Sequence, residues 1–156
     1  MATIIVPIFQ YINNKIKRLE CLRPLATGLR FSFSKELILL NKIIGLDTRR
    51  RKLFILKKSN NRPVCCIVDL RDIQNCSVKK TYGSIVAGGL QRKKLEEYLD
   101  TISLHLGFKN RKEQIIINFY ETGYNSVTEL PGLEIKAKHW GRIVSNLLHK
   151  QADETA

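Results

Sequence analysis

The stretch "LDTRRRKLFIL", Leu46 to Leu56, decides how the middle of the chain is read. Four consecutive cations, Arg49 to Lys52, lie between two apolar runs. Such a segment is either a site for a polyanion or the wet tip of a hairpin. Asp47-Thr48-Arg49-Arg50 carries turn chemistry, because Asp and Thr side chains hydrogen-bond to nearby backbone. The apolar runs on either side have strand composition. A hairpin therefore accounts for every residue except the excess of arginine, since one or two charges would solvate such a tip.

The same rhythm extends outward. Short runs with strand character fall near 29–33, 36–41, 43–47, 51–57, 64–69, 75–82, 98–108 and 113–121. Asn41-Lys42 and Asn60-Asn61-Arg62-Pro63 are further tight connectors, and short connectors force neighbouring strands to run antiparallel. The clearest strand is the one in which Ile102, Leu104, Leu106 and Phe108 alternate with Thr101, Ser103, His105 and Gly107. Gly83, Gly88 and Gly89 break the rhythm, and the segment 83–94 is expected to be a flexible connection between two sheets, with a helical turn over Gln91 to Leu99. Neither phosphate-loop pattern is present in it.

Two helices flank the strands. Ile5, Phe9, Ile12, Ile16, Leu19 and Leu22 form one stripe over 5–22, with Lys15, Lys17 and Arg18 away from it and Pro24 as the stop. Such a basic amphipathic helix docks on the domain, on a second copy or on an anionic membrane. The second helix is expected over 129–149, capped by Thr128, with Pro131 in its first turn. Its apolar face is Leu133, Ala137, Trp140, Val144, Leu147 and Leu148. The domain plan is therefore an N-terminal helical segment over 1–27, an antiparallel body over 28–150 and a disordered tail over 151–156. The fold class is α+β.

Length and charge narrow the function classes. A chain of 156 residues fits one domain and supports a core without disulfide or metal staples. The net charge is +13, and residues 26–60 hold nine bases against only Glu36 and Asp47. A lopsided positive field favours polyanions such as nucleic acid or anionic lipid headgroups. It also keeps a protein soluble, and charge alone names no partner.

Catalytic and metal chemistry find little support. Cys21, Cys65, Cys66 and Cys76 form no C-x-x-C pair and have no cysteine–histidine ligand spacing, so they read as buried thiols of a reducing compartment. His105, His139 and His149 include no pair four residues apart on a helix, so no metal site is expected. Asp69 and Asp72 flank a turn and read as backbone caps rather than an acid–base pair. The chain is not expected to be an enzyme, and no cofactor is implied. The apolar run at 4–9 is too short to span a membrane and lacks signal-peptide flanks, so the protein is expected to be cytoplasmic, with peripheral membrane contact left open.

Two basic constellations remain as polyanion-binding candidates. One is Arg49, Arg50, Arg51 and Lys52; Lys57, Lys58 and Arg62 lie about 20 Å away at the far end of the following strand. The other is Lys79, Lys80, Arg92, Lys93 and Lys94 around the glycines. Arginine forks suit phosphate, but no reading helix or row of exposed aromatics accompanies them.

About seven short antiparallel strands followed by one amphipathic helix resemble the pleckstrin-homology-like barrel, over residues 29–149. "VCCIVDLRDIQNCSV" carries the resemblance furthest, because bacterial members have a similar strand ending in an acidic-apolar turn, here Asp69, Leu70, Asp72 and Ile73. The chain is also similar to an uncharacterised group of bacterial proteins in "CSVKKTYGSI" (Cys76 to Ile85), "FYE" (Phe119 to Glu121) and "KAKHW" (Lys136 to Trp140). The resemblance implies a bent antiparallel sheet plugged by the last helix, and no catalytic residue. In eukaryotic relatives a basic hairpin between the first strands holds inositol phosphates; the basic hairpin here falls one step later. The expected function is a non-catalytic binding or scaffolding module that meets a protein partner or an anionic lipid or phosphate surface through its basic N-terminal third. A nucleic-acid-binding protein is the alternative, and an enzyme of unrecognised type the third.

Overall fold

Consecutive apolar residues, such as Ile43-Ile44 and Leu53-Phe54-Ile55, need a strand that is buried on both sides. The structure, a computed structural model, describes residues 2–5, 32–59 and 62–155, with side chains over 32–57 and 64–154. The chain divides into two compact units, Met1–Asp72 and Ile73–Ala156.

In the first unit, β1 (Ala2–Ile5), β2 (Lys35–Ile38), β3 (Lys42–Asp47), β4 (Lys52–Ser59) and β5 (Arg62–Asp69) form one antiparallel sheet in the order β1-β5-β4-β3-β2. Strands β2 to β5 are a simple meander, and β1 pairs along the outer edge of β5. On one face Phe54 and Cys65 pack with Phe33, Leu56 and Ile67. Ile44, Leu46, Leu53 and Val68 belong to the opposite face and are also buried. The Phe33 ring meets Phe54 edge-on, with centroids 4.9 Å apart at 79°. That ring lies over Gly45, where a Cβ would come within 2.8 Å of it. Glycine at this strand position therefore exists for close approach, at the cost of some strand propensity.

The second unit begins after a 3-10 turn at Leu70–Asp72. Its strands β6 (Ile73–Tyr82), β7 (Leu99–Phe108) and β8 (Gln114–Glu121) form a separate antiparallel sheet in the order β6-β7-β8. Between β6 and β7 lie one helical turn, α1 (Gly89–Arg92), and a 3-10 turn, Leu95–Tyr98. A 3-10 turn at Val127–Glu129 leads into the long helix α2 (Leu130–Thr155). Leu133, Ala137, Trp140 and Val144 of α2 are buried, and the helix packs on all three strands. Cys76, Val78 and Leu104 lie on the covered face: the Cys76 thiol points at the Gly141 carbonyl 3.9 Å away, and a Cβ on Gly141 would lie 3.0 Å from Val78. Ser77, Lys79, Thr81, His105 and Ile116 alternate with those residues and lie on the other face. That face is largely polar, as one-sided burial of an antiparallel sheet allows.

Several expectations change. The strands pair as two sheets, and no closed barrel forms among the described residues. The chain passes from one sheet to the other at Leu70–Asp72; the glycine segment instead joins two paired strands of the same sheet. Ser32 and Phe33 are not in a strand, because Phe33 is used to cover Gly45; residues 29–31 lie outside the described residues. The expected N-terminal helix falls almost wholly outside them too, and its first residue, Ile5, ends β1. The cap before α2 is Ser126 rather than Thr128: its Oγ accepts from the Thr128 N–H, and Glu129 reaches back to the Ser126 N–H at 2.8 Å. The expected disordered tail is helical through Thr155. Among the described residues no helix is long and apolar enough to cross a membrane.

Candidate anion-binding end of the first sheet

The turn between β3 and β4 is held by its own carboxylate. Asp47, 1% exposed, accepts from the Arg50 N–H at 2.9 Å and from the Ser32 N–H at 3.0 Å. This ties Thr48 to Arg51 into a tight tip. Arg51 takes a positive φ of 56°, the one non-glycine residue with positive φ among the described residues. An L side chain there costs on the order of 1 kcal/mol against glycine. The tip thus keeps an arginine where backbone preference favours glycine or asparagine.

The tip does not stand alone. The Arg51 carbonyl accepts from the Leu70 N–H at 2.9 Å, which joins the hairpin to the 3-10 turn after β5. In the next layer Lys52 sits opposite Asp69 in register and pairs with it. Arg71 closes on the same carboxylate through two bonds, Nε to Oδ1 at 2.9 Å and Nη2 to Oδ2 at 2.7 Å. The Asp69 Oδ1 also accepts from the Arg71 N–H at 3.0 Å, the backbone cap expected of an aspartate at this turn. Burial pushes the Asp69 carboxyl up, but the hydrogen bonds from Arg71 and Lys52 outweigh it and hold the group well below the usual carboxylate range. One end of the sheet therefore carries Arg49, Arg50, Arg51, Lys52 and Arg71, with the Asp47 carboxylate engaged by backbone N–H groups and the Asp69 carboxylate by Lys52 and Arg71.

Arg71 is the member that sequence reading missed. Its only signal in the sequence is its place two residues beyond Asp69, a residue that reads as a cap. Lys57 lies opposite Lys42 at the other end of the β3–β4 pair, so the separation of the two ends holds.

The second constellation is divided. Lys79 and Lys80 are successive residues of β6 and face opposite ways. Lys80 Nζ lies 2.8 Å from Glu134 of α2, which Lys138 also holds at 2.7 Å. Lys79 lies on the open face opposite Ser103. Arg92, Lys93 and Lys94 are exposed in the β6–β7 connection.

Burial accounts for the described thiols and hydrogen bonding for His105, while His139 and His149 are exposed on α2. Burial pushes the Cys65 thiol up to about 11, helped by the neighbouring Cys66, and burial likewise raises Cys66. The Cys76 thiol is also raised by burial to about 11, against a hydrogen bond with Ser145 that lowers it. Such thiols stay protonated and unreactive at neutral pH. Cys21 lies outside the described residues. His105 Nε2 lies 2.9 Å from Ser103 Oγ, and its Nδ1 lies 3.1 Å from Gln114 Oε1. The order hydroxyl–imidazole–amide resembles an activated nucleophile. Ser103 is only 1% exposed, however, so its Oγ is closed to a substrate and the chain of bonds serves to satisfy a buried hydroxyl. No cluster of three metal-ligating side chains occurs among the described residues. Comparison with known proteins returns nothing: no family model matches the chain, and neither a curated protein nor a solved structure matches it significantly.

Proposed function

We propose that the protein is a non-catalytic binding module of pleckstrin-homology-like element order, and that it holds a phosphate-bearing surface through the arginine end of its first sheet. The element order supports the first part: a meander of four strands, β2 to β5, then three, β6 to β8, then a long helix. The acidic-apolar turn on which the resemblance rests, Asp69 to Ile73, falls at the junction of the two groups. The observation that carries the second part is the backbone bond from the Leu70 N–H to the Arg51 carbonyl, which sets the segment bearing Arg71 beside the turn bearing Arg49, Arg50 and Arg51. Guanidinium groups carried at one end of a sheet suit phosphate oxygens in geometry as well as in sign. The positive φ at Arg51 points the same way, because a turn needed only for folding would do better with glycine. On this reading the protein works in the cytoplasm and attaches peripherally to its surface.

The test compares the wild type with a variant in which Arg49, Arg50, Arg51 and Arg71 are all serine. Binding is measured to inorganic polyphosphate, to vesicles with and without phosphatidylserine, and to duplex DNA. Thermal unfolding should shift by only a few degrees, while affinity for the phosphate-bearing probes falls at least tenfold. Unchanged binding across all three would reduce the arginines to a wet turn. If DNA alone is bound, and its affinity drops on the order of a thousandfold between about 50 and 200 mM salt, the nucleic-acid alternative takes over.

A further inference from the structure

Half of the large apolar residues exposed on the described part of the molecule fall in one connection or at its base. Tyr82, Ile85, Val86, Leu90 and Leu95 are five of the ten, and Val86 and Leu90 are 73% and 57% exposed. Tyr82 ends β6 and the other four belong to the segment between β6 and β7; every residue from 81 to 97 except Gly89 is exposed. This is not a slack loop. Its ends are joined by the Tyr82–Leu99 pair and by the Gly83 N–H donating to the Tyr98 carbonyl at 2.8 Å. Inside it, the Gly89 N–H donates to the Val86 carbonyl at 2.9 Å, and the Lys93 N–H donates to the Gly89 carbonyl at 3.0 Å. Tyr98 folds under it so closely that a Cβ on Gly89 would lie 2.7 Å from the Tyr98 hydroxyl. A loop with paired ends and its own internal packing is an Ω-type loop, a form frequently kept for function. Here the fold uses tyrosine and backbone to fill the inside and turns valine and leucine outward, the reverse of what water favours.

We infer that the β6–β7 loop is a membrane-inserting element, with Val86 and Leu90 entering the acyl boundary of an anionic bilayer. Charge complementarity selects this occupant. Arg92, Lys93 and Lys94 lie between Leu90 and Leu95 in the same loop and are all exposed, as an apolar tip that enters an anionic bilayer requires of its flanks. Tyr82, 41% exposed at the base of the loop, has the amphipathic ring that favours that interface. Glu96 and Glu97 come later, in the 3-10 turn that leads back into β7, and Glu97 is occupied in accepting the Lys94 N–H at 3.2 Å. A protein partner would equally cover valine and leucine, but gains nothing from three cations beside them unless it is acidic. The inference goes beyond the arginine end of the first sheet and does not depend on it.

The experiment uses the full chain and vesicles of phosphatidylcholine with and without phosphatidylserine. The chain has one tryptophan, Trp140, which is buried, so Leu90→Trp in a Trp140→Phe background places a single reporter at the loop. Its emission should shift to the blue on anionic vesicles and be quenched by brominated acyl chains. Val86→Ser with Leu90→Ser should lower vesicle affinity about tenfold or more, since two apolar side chains are withdrawn from the acyl region. The same variant should keep its circular dichroism and its binding to polyphosphate, which reads the arginine end independently. Unshifted Leu90→Trp emission at saturating anionic vesicles would overturn the inference. So would vesicle binding by the double serine variant at wild-type strength. A wild-type oligomer that the double serine variant dissolves, with no vesicle binding by either, would assign the loop to a second copy of this chain instead.

Discussion

The two sheets of this protein handle charge in opposite ways. The central strands of the first are apolar on both faces, so their lysines and arginines are driven to the strand ends and the turns. The second sheet has one face under α2 and one face in water, so its cations can stand along a strand, as Lys79 does, or in a connection. Charge expelled from a doubly buried sheet is concentrated; charge on a half-buried sheet is spread. The arginine end at Arg49 to Arg51 and Arg71 is in part a product of that geometry. What geometry does not require is arginine at a position of positive φ, or the fork that Arg71 makes on Asp69.

The sharpest way to break the comparison is at the sheet centres. Phe54→Ala, in the doubly buried sheet, should cost about 3–5 kcal/mol in denaturant unfolding, because a cavity opens between Phe33 and Ile67 that neither can fill. Next comes the carboxylate under the arginine end. Asp69→Asn should cost about 1 kcal/mol at neutral pH, since the pair with Lys52 is only partly shielded from water. Asp69 also carries a sign that can be read. Its folded pKa lies below its unfolded value, so its ion pairs stabilise the fold above about pH 4 and lose that contribution as pH falls below it. A plot of stability against pH should therefore fall less steeply below about pH 4 in the variant than in the wild type. A steeper fall in the variant would mean that another group dominates there.

Arg51→Gly separates folding from function at the tip. Relief of the positive φ should raise stability by up to about 1 kcal/mol, while affinity for polyphosphate drops. A gain in stability with no loss of affinity would show that Arg51 is there for neither. The smallest effect is expected on the open face of the second sheet. Ile116→Ser, at an exposed position, should change stability by less than about 0.5 kcal/mol. A larger loss would mean that this face is covered in solution, and the contrast between the sheets would fail.

Much of the architecture could be read from residues alone, and the reasons are local. The β7 strand was legible because Ile102, Leu104, Leu106 and Phe108 alternate with smaller or polar residues at the period of a pleat. The hairpin was legible because Asp47 is a turn former that bonds its own backbone three residues on. Arg71 was not legible as a partner of Arg49 to Arg51. Twenty or more residues separate them, and only the antiparallel return of β5 beside β4 brings Asp69 opposite Lys52. The glycines of the β6–β7 connection suggest slackness; that Gly89 instead makes room for Tyr98 depends on a contact nine residues away.

The sequence by itself determined the seven strands β2 to β8, their antiparallel order, the last helix and the concentration of charge in residues 26–60. These follow from periodicity, turn chemistry and composition, which act over a few neighbouring residues. Only the tertiary structure decided that the strands part into two sheets at Leu70–Asp72, that Arg71 joins the hairpin, that Lys79 and Lys80 face apart, and that Val86 and Leu90 are turned outward. Each of these depends on which distant segment covers a residue, and burial against a distant segment leaves no local signature.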